Sequence, residues 1–170
     1  MIAYKFLGSN GAARFSGFTW PLPGGGRPGH WVEAMPSVCA TGIHACREAD
    51  LPYWIDAELW LIELDGDVVE GSRKVVAERG RLVGRIEAWN AGAMHGFGLA
   101  CAERADALAG SSAELRAYAA DAVVFAETRK AGVVGFITAR LAELVGGVAG
   151  YEAERATQAR WLADRLGLAA

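Results

Sequence analysis

The residues best suited to chemistry lie in one short segment, Gly42-Ile43-His44-Ala45-Cys46. In an extended strand side chains alternate between faces, so His44 and Cys46 share a face with Gly42. Gly42 has no side chain and leaves room for a ligand beside the imidazole. An imidazole next to a thiol can serve as a general base, as the base of a nucleophile pair, or as part of a metal site. The same residues also suit a structural role, a histidine bonded to a backbone carbonyl and a small buried cysteine. His44 is therefore the candidate catalytic or anchoring residue.

A second group is basic. Arg73, Lys74, Arg79, Arg81 and Arg85 fall close together with Glu78 as the one acid among them. Arg81 and Arg85 alternate with Leu82, Gly84 and Ile86, which places the cations on one sheet face. Lys74, Arg79 and Arg81 are the candidate ligand-binding cations for a phosphate or carboxylate. The competing reading is a solvated face neutralised by Glu63, Glu70 or Glu87. Trp20 and Trp31 flank Pro21-Leu22-Pro23-Gly24-Gly25-Gly26-Arg27-Pro28-Gly29, a segment that prolines and glycines keep out of regular structure. The two indoles are candidates to cover a ligand from that loop, or to anchor the loop on the core. Together these groups predict one hollow beneath the loop, shared by His44 and the Arg81 row.

Metal chemistry fits less well. Cys39, His44 and Cys46 are close in sequence, and Cys101, His95 or His30 could complete a tetrahedron. Structural zinc sites show paired knuckles such as Cys-x2-Cys, and neither half of that pattern is here. No metal site is expected. Gly24-Gly25-Gly26 lacks the lysine and Ser/Thr of a phosphate loop. Asp65-Gly66-Asp67 reads as a turn.

The chain has 170 residues, enough for one domain with a helical appendage, and a net charge of −3. A nucleic-acid footprint needs a basic excess, so none is expected. Arginine supplies every cation except Lys5, Lys74 and Lys130. No stretch approaches the ~18 apolar residues of a membrane span, and Met1-Ile2-Ala3-Tyr4-Lys5 lacks the start of a signal peptide. The three cysteines and that start point to a reducing cytoplasm with free thiols.

The elements that must carry these residues change character near position 88. Residues 1–88 read as a β-rich domain bearing the ligand site. Strands are expected at Ile2–Leu7 (with Ile2, Tyr4 and Phe6 on one face), at 15–20 and at 41–46. Residues 59–64 form a further strand turning at Asp65-Gly66, and return strands follow at 68–69, 73–77 and 81–88. Residues 89–170 read as a helical segment. Asn90 caps its first helix, and Ser111 with Glu114 opens the next. Val133, Phe136, Ile137, Leu141, Leu144 and Val145 form an apolar stripe that stops at Gly146-Gly147. A last helix over 152–166 carries Ala159, Leu162 and Leu166 inward and Glu154, Arg155, Arg160 and Asp164 outward. The fold class is α+β, a mostly antiparallel sheet covered or followed by an alanine-rich bundle.

Cys39-Ala40-Thr41-Gly42-Ile43-His44, followed by Leu59-Trp60-Leu61-Ile62-Glu63-Leu64-Asp65-Gly66, resembles a recurring uncharacterised domain of bacteria and phages. That domain has a Cys-x-Ser/Thr-Gly-x-His start and a later strand ending in Asp-Gly. The order of elements through Arg79–Ile86 is distantly similar to small ADP-ribosyltransferases of the rifamycin-modifying type. The resemblance spans residues 2–88 and implies a compact sheet domain that grips NAD. It transfers no catalytic residue, because Ile2–Leu7 has no His or Arg at the nicotinamide-gripping position.

Two functions follow as expectations. One is a ligand-binding domain, extending to an enzyme, for a nucleotide-like or other anionic small molecule, with NAD as a cofactor candidate. The other is a protein-interaction or assembly module, including a homodimer, built on the alanine-rich helices.

Overall fold

A computed structural model describes residues 1–37, 41–128 and 130–168. The chain forms two compact units, Met1–Glu87 and Ala88–Ala170. The fold is α+β.

Unit one is a five-stranded antiparallel sheet of β1 (Ile2–Leu7), β2 (Val32–Glu33), β3 (Ile43–Ala45), β4 (Glu58–Gly71) and β5 (Lys74–Arg85). β1 pairs with one edge of β4, and β5 with the other. The free edge of β5 takes β3 at Val75–Ala77 and β2 at Arg79–Gly80. β1 and β3 then meet, since Tyr4 and Cys46 exchange both backbone hydrogen bonds at 2.9 and 2.8 Å. The path β1-β4-β5-β3 thus returns to β1 as a small ring. Ala3, Leu7, Ile43, Ala45, Trp60, Ile62, Leu64, Val75, Ala77 and Leu82 form its apolar core, with Trp20.

Asp65-Gly66 is not the hairpin turn expected of it. β4 runs on to Gly71, and Ser72-Arg73 makes the turn. Gly66 and Asp67 instead stand opposite Glu78 alone, a bulge that Gly66 allows with φ at 76°. The extra residue bends β4 and lets one strand serve both β1 and the distal half of β5. The return strands expected at 73–77 and 81–88 are the single strand β5. No strand forms over 15–20, where Ala12 and Thr19 make one isolated bridge around a turn. β1 also shows the opposite face. Ala3 and Leu7 point into the core, Lys5 shares their face, and Ile2 is exposed.

Unit two contains α1 (Ala91–Ala109), α2 (Ala113–Glu127) and α3 (Ala131–Leu166). Asn90 caps α1 by accepting from Gly92 N and Ala93 N. α2 is capped by Ser112, one residue beyond the serine expected. α3 has the length and hydropathy of a membrane span but is not one rod. At Gly147 φ is 66° and ψ is −160°, and the chain folds back. Gln158 Nε2 donates to Gly135 O at 2.9 Å, and the α-carbon of Gly150 lies against Ala142 O. Both pairs straddle the glycine break, so the two arms are antiparallel.

Most of the stripe expected on the first arm is turned outward, Leu141 being its buried member. Val133, Phe136, Leu144 and Val145 are exposed, while Val134, Gly135, Thr138, Ala139, Leu141 and Ala142 are buried. The arms meet through small residues because glycine and alanine allow close backbone approach. Glu154 and Arg155, expected outside, are buried in a polar network. Arg104 binds both oxygens of Glu154, Gln158 donates to Glu154 Oε1, and Arg155 donates to Gln158 Oε1.

A β-carbon on Gly150 would sit 2.3 Å from Ala142 O, whereas one on Gly146 meets nothing within 4 Å. Urea unfolding should show Gly150→Ala losing about 1–3 kcal/mol to overpacking, with Gly146→Ala neutral or slightly stabilising. Equal effects would contradict the fold-back.

Candidate functional site

In β1 the alternation that buries Ala3 and Leu7 carries Lys5 to the same inner side, opposite Trp60. A lysine there needs a partner for its ammonium. It finds two weak ones. Nζ donates to the carbonyl of His44 across the gap between β1 and β3, and it lies 4.8 Å from the centre of the Trp20 ring. Trp20 is only 4% exposed and meets Phe18 edge-on at 5.9 Å. The one buried acid on the inner face, Glu58 beside Leu7, is already occupied. It accepts from Asn10 N, Gly11 N and Trp60 Nε1, each at 3.1 Å, and stands 3.5 Å from Arg85. Among the described residues no carboxylate pairs with Lys5. Burial therefore pushes its amine down to about 8, against a smaller opposing influence of Cys46.

Lys5 lines a cavity of about 830 Å³ within unit one. Its walls come from β1, the turn at 13–18, β3, and Tyr53 and Trp54 of the 3-10 segment Glu48–Tyr53 and its end. Phe15 stands at the wall 84% exposed, a large apolar ring left in water. Two clamps fix the 3-10 segment. Arg47 binds Asp50 and Glu70, at 2.6 and 2.7 Å, and also Gly71 O in the β4–β5 turn. Trp54 Nε1 donates to Arg73 O at 2.7 Å. The result brings Lys74 to the cavity, 5.6 Å from the centre of the Trp54 ring.

His44 lines the same cavity. Its Nε2 is buried and has no hydrogen-bond partner among the described residues. Its pKa is lowered by burial first, then by the charges of Lys74 and Lys5, against a hydrogen bond that the ring donates to the Gly42 backbone. The imidazole thus has one nitrogen unmatched, and burial and the charges of two lysines disfavour its protonation. Cys46 is no nucleophile. Its thiol donates to Tyr4 O at 3.3 Å, and burial pushes its pKa up to about 12. Cys39, the other thiol of that segment, lies outside the described residues. Glu33 and Asp56 are the acids in the wall, and Asp56 stands 3.9 Å from Arg14.

Of the candidate residues, the structure brings His44, Lys74 and Trp20 together. It does not bring Arg79, Arg81 or Trp31 to them. A β-carbon on Gly80 would meet Ile43 and Leu64 in the core, so Arg79 and Arg81 point the other way. There they sandwich against Trp31, with guanidinium carbons 5.0 and 4.6 Å from its ring centre. Arg79 pairs with Asp65, and Arg81 with Glu63 at 2.7 Å. That face is neutralised, as the competing reading had it. The Pro21–Gly29 loop is not the cover either. Gly24 and Arg27 close a tight turn, and Gly29 N donates to Leu82 O at 2.9 Å. Close approach to Pro21 O leaves no room for a β-carbon at Gly29. The turn at 13–18 lines the cavity instead. The reading of the residues missed Lys5; the available signal was a lysine between Ala3 and Leu7 in an arginine-rich chain.

No family model matches the chain, and neither a curated protein nor a solved structure shows significant similarity to it.

The pH response of stability checks the Lys5 environment. Its amine titrates near 8 in the fold and near 10.5 when unfolded, so the unfolded state holds the extra proton between those values. The unfolding free energy of wild type, relative to Lys5→Met, should be flat below pH ~8. It should then rise by on the order of 3 kcal/mol as the pH climbs past 10. Cys46 and Cys101, both pushed up to about 12, are common to the two proteins and cancel in the difference. A flat difference would place Lys5 in water.

Proposed function

We propose that unit one is a binding domain for an anionic small molecule with a flat or apolar body, of which nucleotides, NAD included, are the first class to try. The observation that carries this reading is the pairing state of two basic groups in the cavity, Lys5 and His44. Lys5 has no acid, His44 Nε2 has no partner, and Lys5 and Lys74 both act on the same imidazole. A bound phosphate or carboxylate would relieve all three at once. Tyr53, Trp54, Phe15 and Phe18 supply the apolar surface a ring would cover.

Calorimetric titration with ADP-ribose, NAD, nucleoside phosphates and small carboxylates tests it. Binding by one of these should weaken about tenfold or more in Lys5→Met, the cost of a charge-assisted hydrogen bond. Binding should also raise the His44 pKa followed by NMR, because added negative charge favours the imidazolium. An equal loss in Arg81→Gln would move the site back to the outer sheet face, and no binding at all would end the proposal.

A second reading concerns unit two. Val133, Phe136, Leu144, Val145 and Val148 leave an apolar ridge in solvent along α3, which favours assembly with a second copy of the chain. Light scattering across concentrations would find a dimer that Phe136→Glu dissociates. A wild-type monomer at the highest concentration would discard that reading.

A further inference from the structure

We propose that Lys5 is an imine-forming amine, and that the cavity takes a ligand carrying an aldehyde or a 2-oxo acid carbonyl. This deepens the anion-binding reading and rests on it for the cavity, though not for the chemistry at nitrogen.

The geometry carries the inference. Lys5 Nζ lies at the cavity wall, on a strand held in both directions by β4 and by the Tyr4–Cys46 bridge. Its partners are a carbonyl oxygen and an indole face, neither of which can take its proton. Glu58, the acid that would hold it as an ammonium, is filled by four other groups. Trp20 closes over the amine and Phe18 packs on Trp20, so the nitrogen meets a ligand from an apolar surround. Such surroundings favour the neutral amine, which is the form that attacks carbonyls. Burial pushes the amine down to about 8, which supports the same conclusion. Residue choice agrees. The chain uses arginine for 14 of 17 cations, but an arginine cannot lose its proton or form an imine.

The step balances without a further reactant. The amine lone pair attacks the carbonyl carbon, and the oxygen takes a proton to give a carbinolamine. The hydroxyl takes a second proton from solvent and leaves as water as the nitrogen lone pair forms the C=N bond, and the two protons of the original amine pass to solvent, one at the carbinolamine and one from the iminium. Water reverses the sequence, so the linkage is a reversible one.

Selective trapping tests this, and the chain is well suited to it because only four amines exist: Lys5, Lys74, Lys130 and the N-terminus. The full-length protein is treated with pyridoxal 5′-phosphate near neutral pH, reduced with borohydride, digested and mapped by mass spectrometry. A lysine titrating near 8 holds on the order of a hundredfold more neutral amine than an ordinary one. The expected result is a reduced adduct on Lys5 formed at least tenfold faster than on Lys130, with a rate that inflects near pH 8. That selectivity should vanish in denaturing urea. An adduct on Lys130 with Lys5 bare, or selectivity that survives denaturation, overturns the proposal. Pyridoxal without its phosphate separates the two claims. If it labels Lys5 equally fast, the imine stands and the anion site falls. If nucleotides bind by calorimetry while Lys5 stays unlabelled, the anion site stands and the imine falls.

Discussion

Unit one is organised around an amine without an acid. Lys5 is carried to the inner face of the ring by the same alternation that buries Ala3 and Leu7, and no side chain there answers its charge. An isolated buried ammonium is costly, so a group in this position either loses its proton or acquires a partner. The His44 carbonyl and the Trp20 face soften that cost without removing it. Each remaining feature of the cavity is more intelligible once that constraint is accepted. The orphaned nitrogen of His44 lies in the same electrostatic field.

Holding an unfavourable group needs a stiff frame, and two ionic centres of unit one, at Glu58 and Arg47, supply it. Glu58 ties the turn at Asn10-Gly11 to β4 and keeps Trp60 in register. Arg47 ties the 3-10 segment to the β4–β5 turn and so sets the distance between Tyr53, Trp54 and the strands. Both groups are held by several neighbours of their own, unlike Lys5 and His44 Nε2. Unit two uses the same device for another end. Glu154, with Arg104 and Gln158, fixes the two arms of α3 against α1 and leaves no charge unmatched. That contrast separates structural ion pairing from the unsatisfied set in the cavity.

Local signals were legible in the chain where one residue type permits one geometry. Asn90 capped the expected helix, Gly147 ended the expected arm, and the change of character near residue 88 falls at the boundary of the two units. Signals that depend on partners distant in sequence were not. Asp65-Gly66 is as good a bulge as a turn, and only the pairing with Glu78 decides. Val133, Phe136 and Val145 have helical spacing, but the buried side of that arm is set by glycine and alanine packing against the second arm. At the site, His44 and Lys74 could be found because they sit in motifs of unusual composition. Lys5 could not be placed, because the inward face of β1 follows from the Lys5–Trp60 register rather than from Ile2, Tyr4 and Phe6.

The division between the two basic surfaces bears directly on function. Arg79 and Arg81 stand two residues apart on one face of β5, and by spacing they look the better anion site. Yet each already faces a carboxylate across the strand pair, at Asp65 and Glu63, and both lie on Trp31. A ligand arriving there would have to displace an ion pair and would gain little in water, where such contacts are screened. In the cavity the balance runs the other way. Lys5 is held by a carbonyl and an indole and by no carboxylate among the described residues, so the negative charge of the proposed ligand would displace no ion pair there. A half-buried amine with no acid is thus the basis of the proposal, and the arginines already bound to carboxylates on the outer face are not.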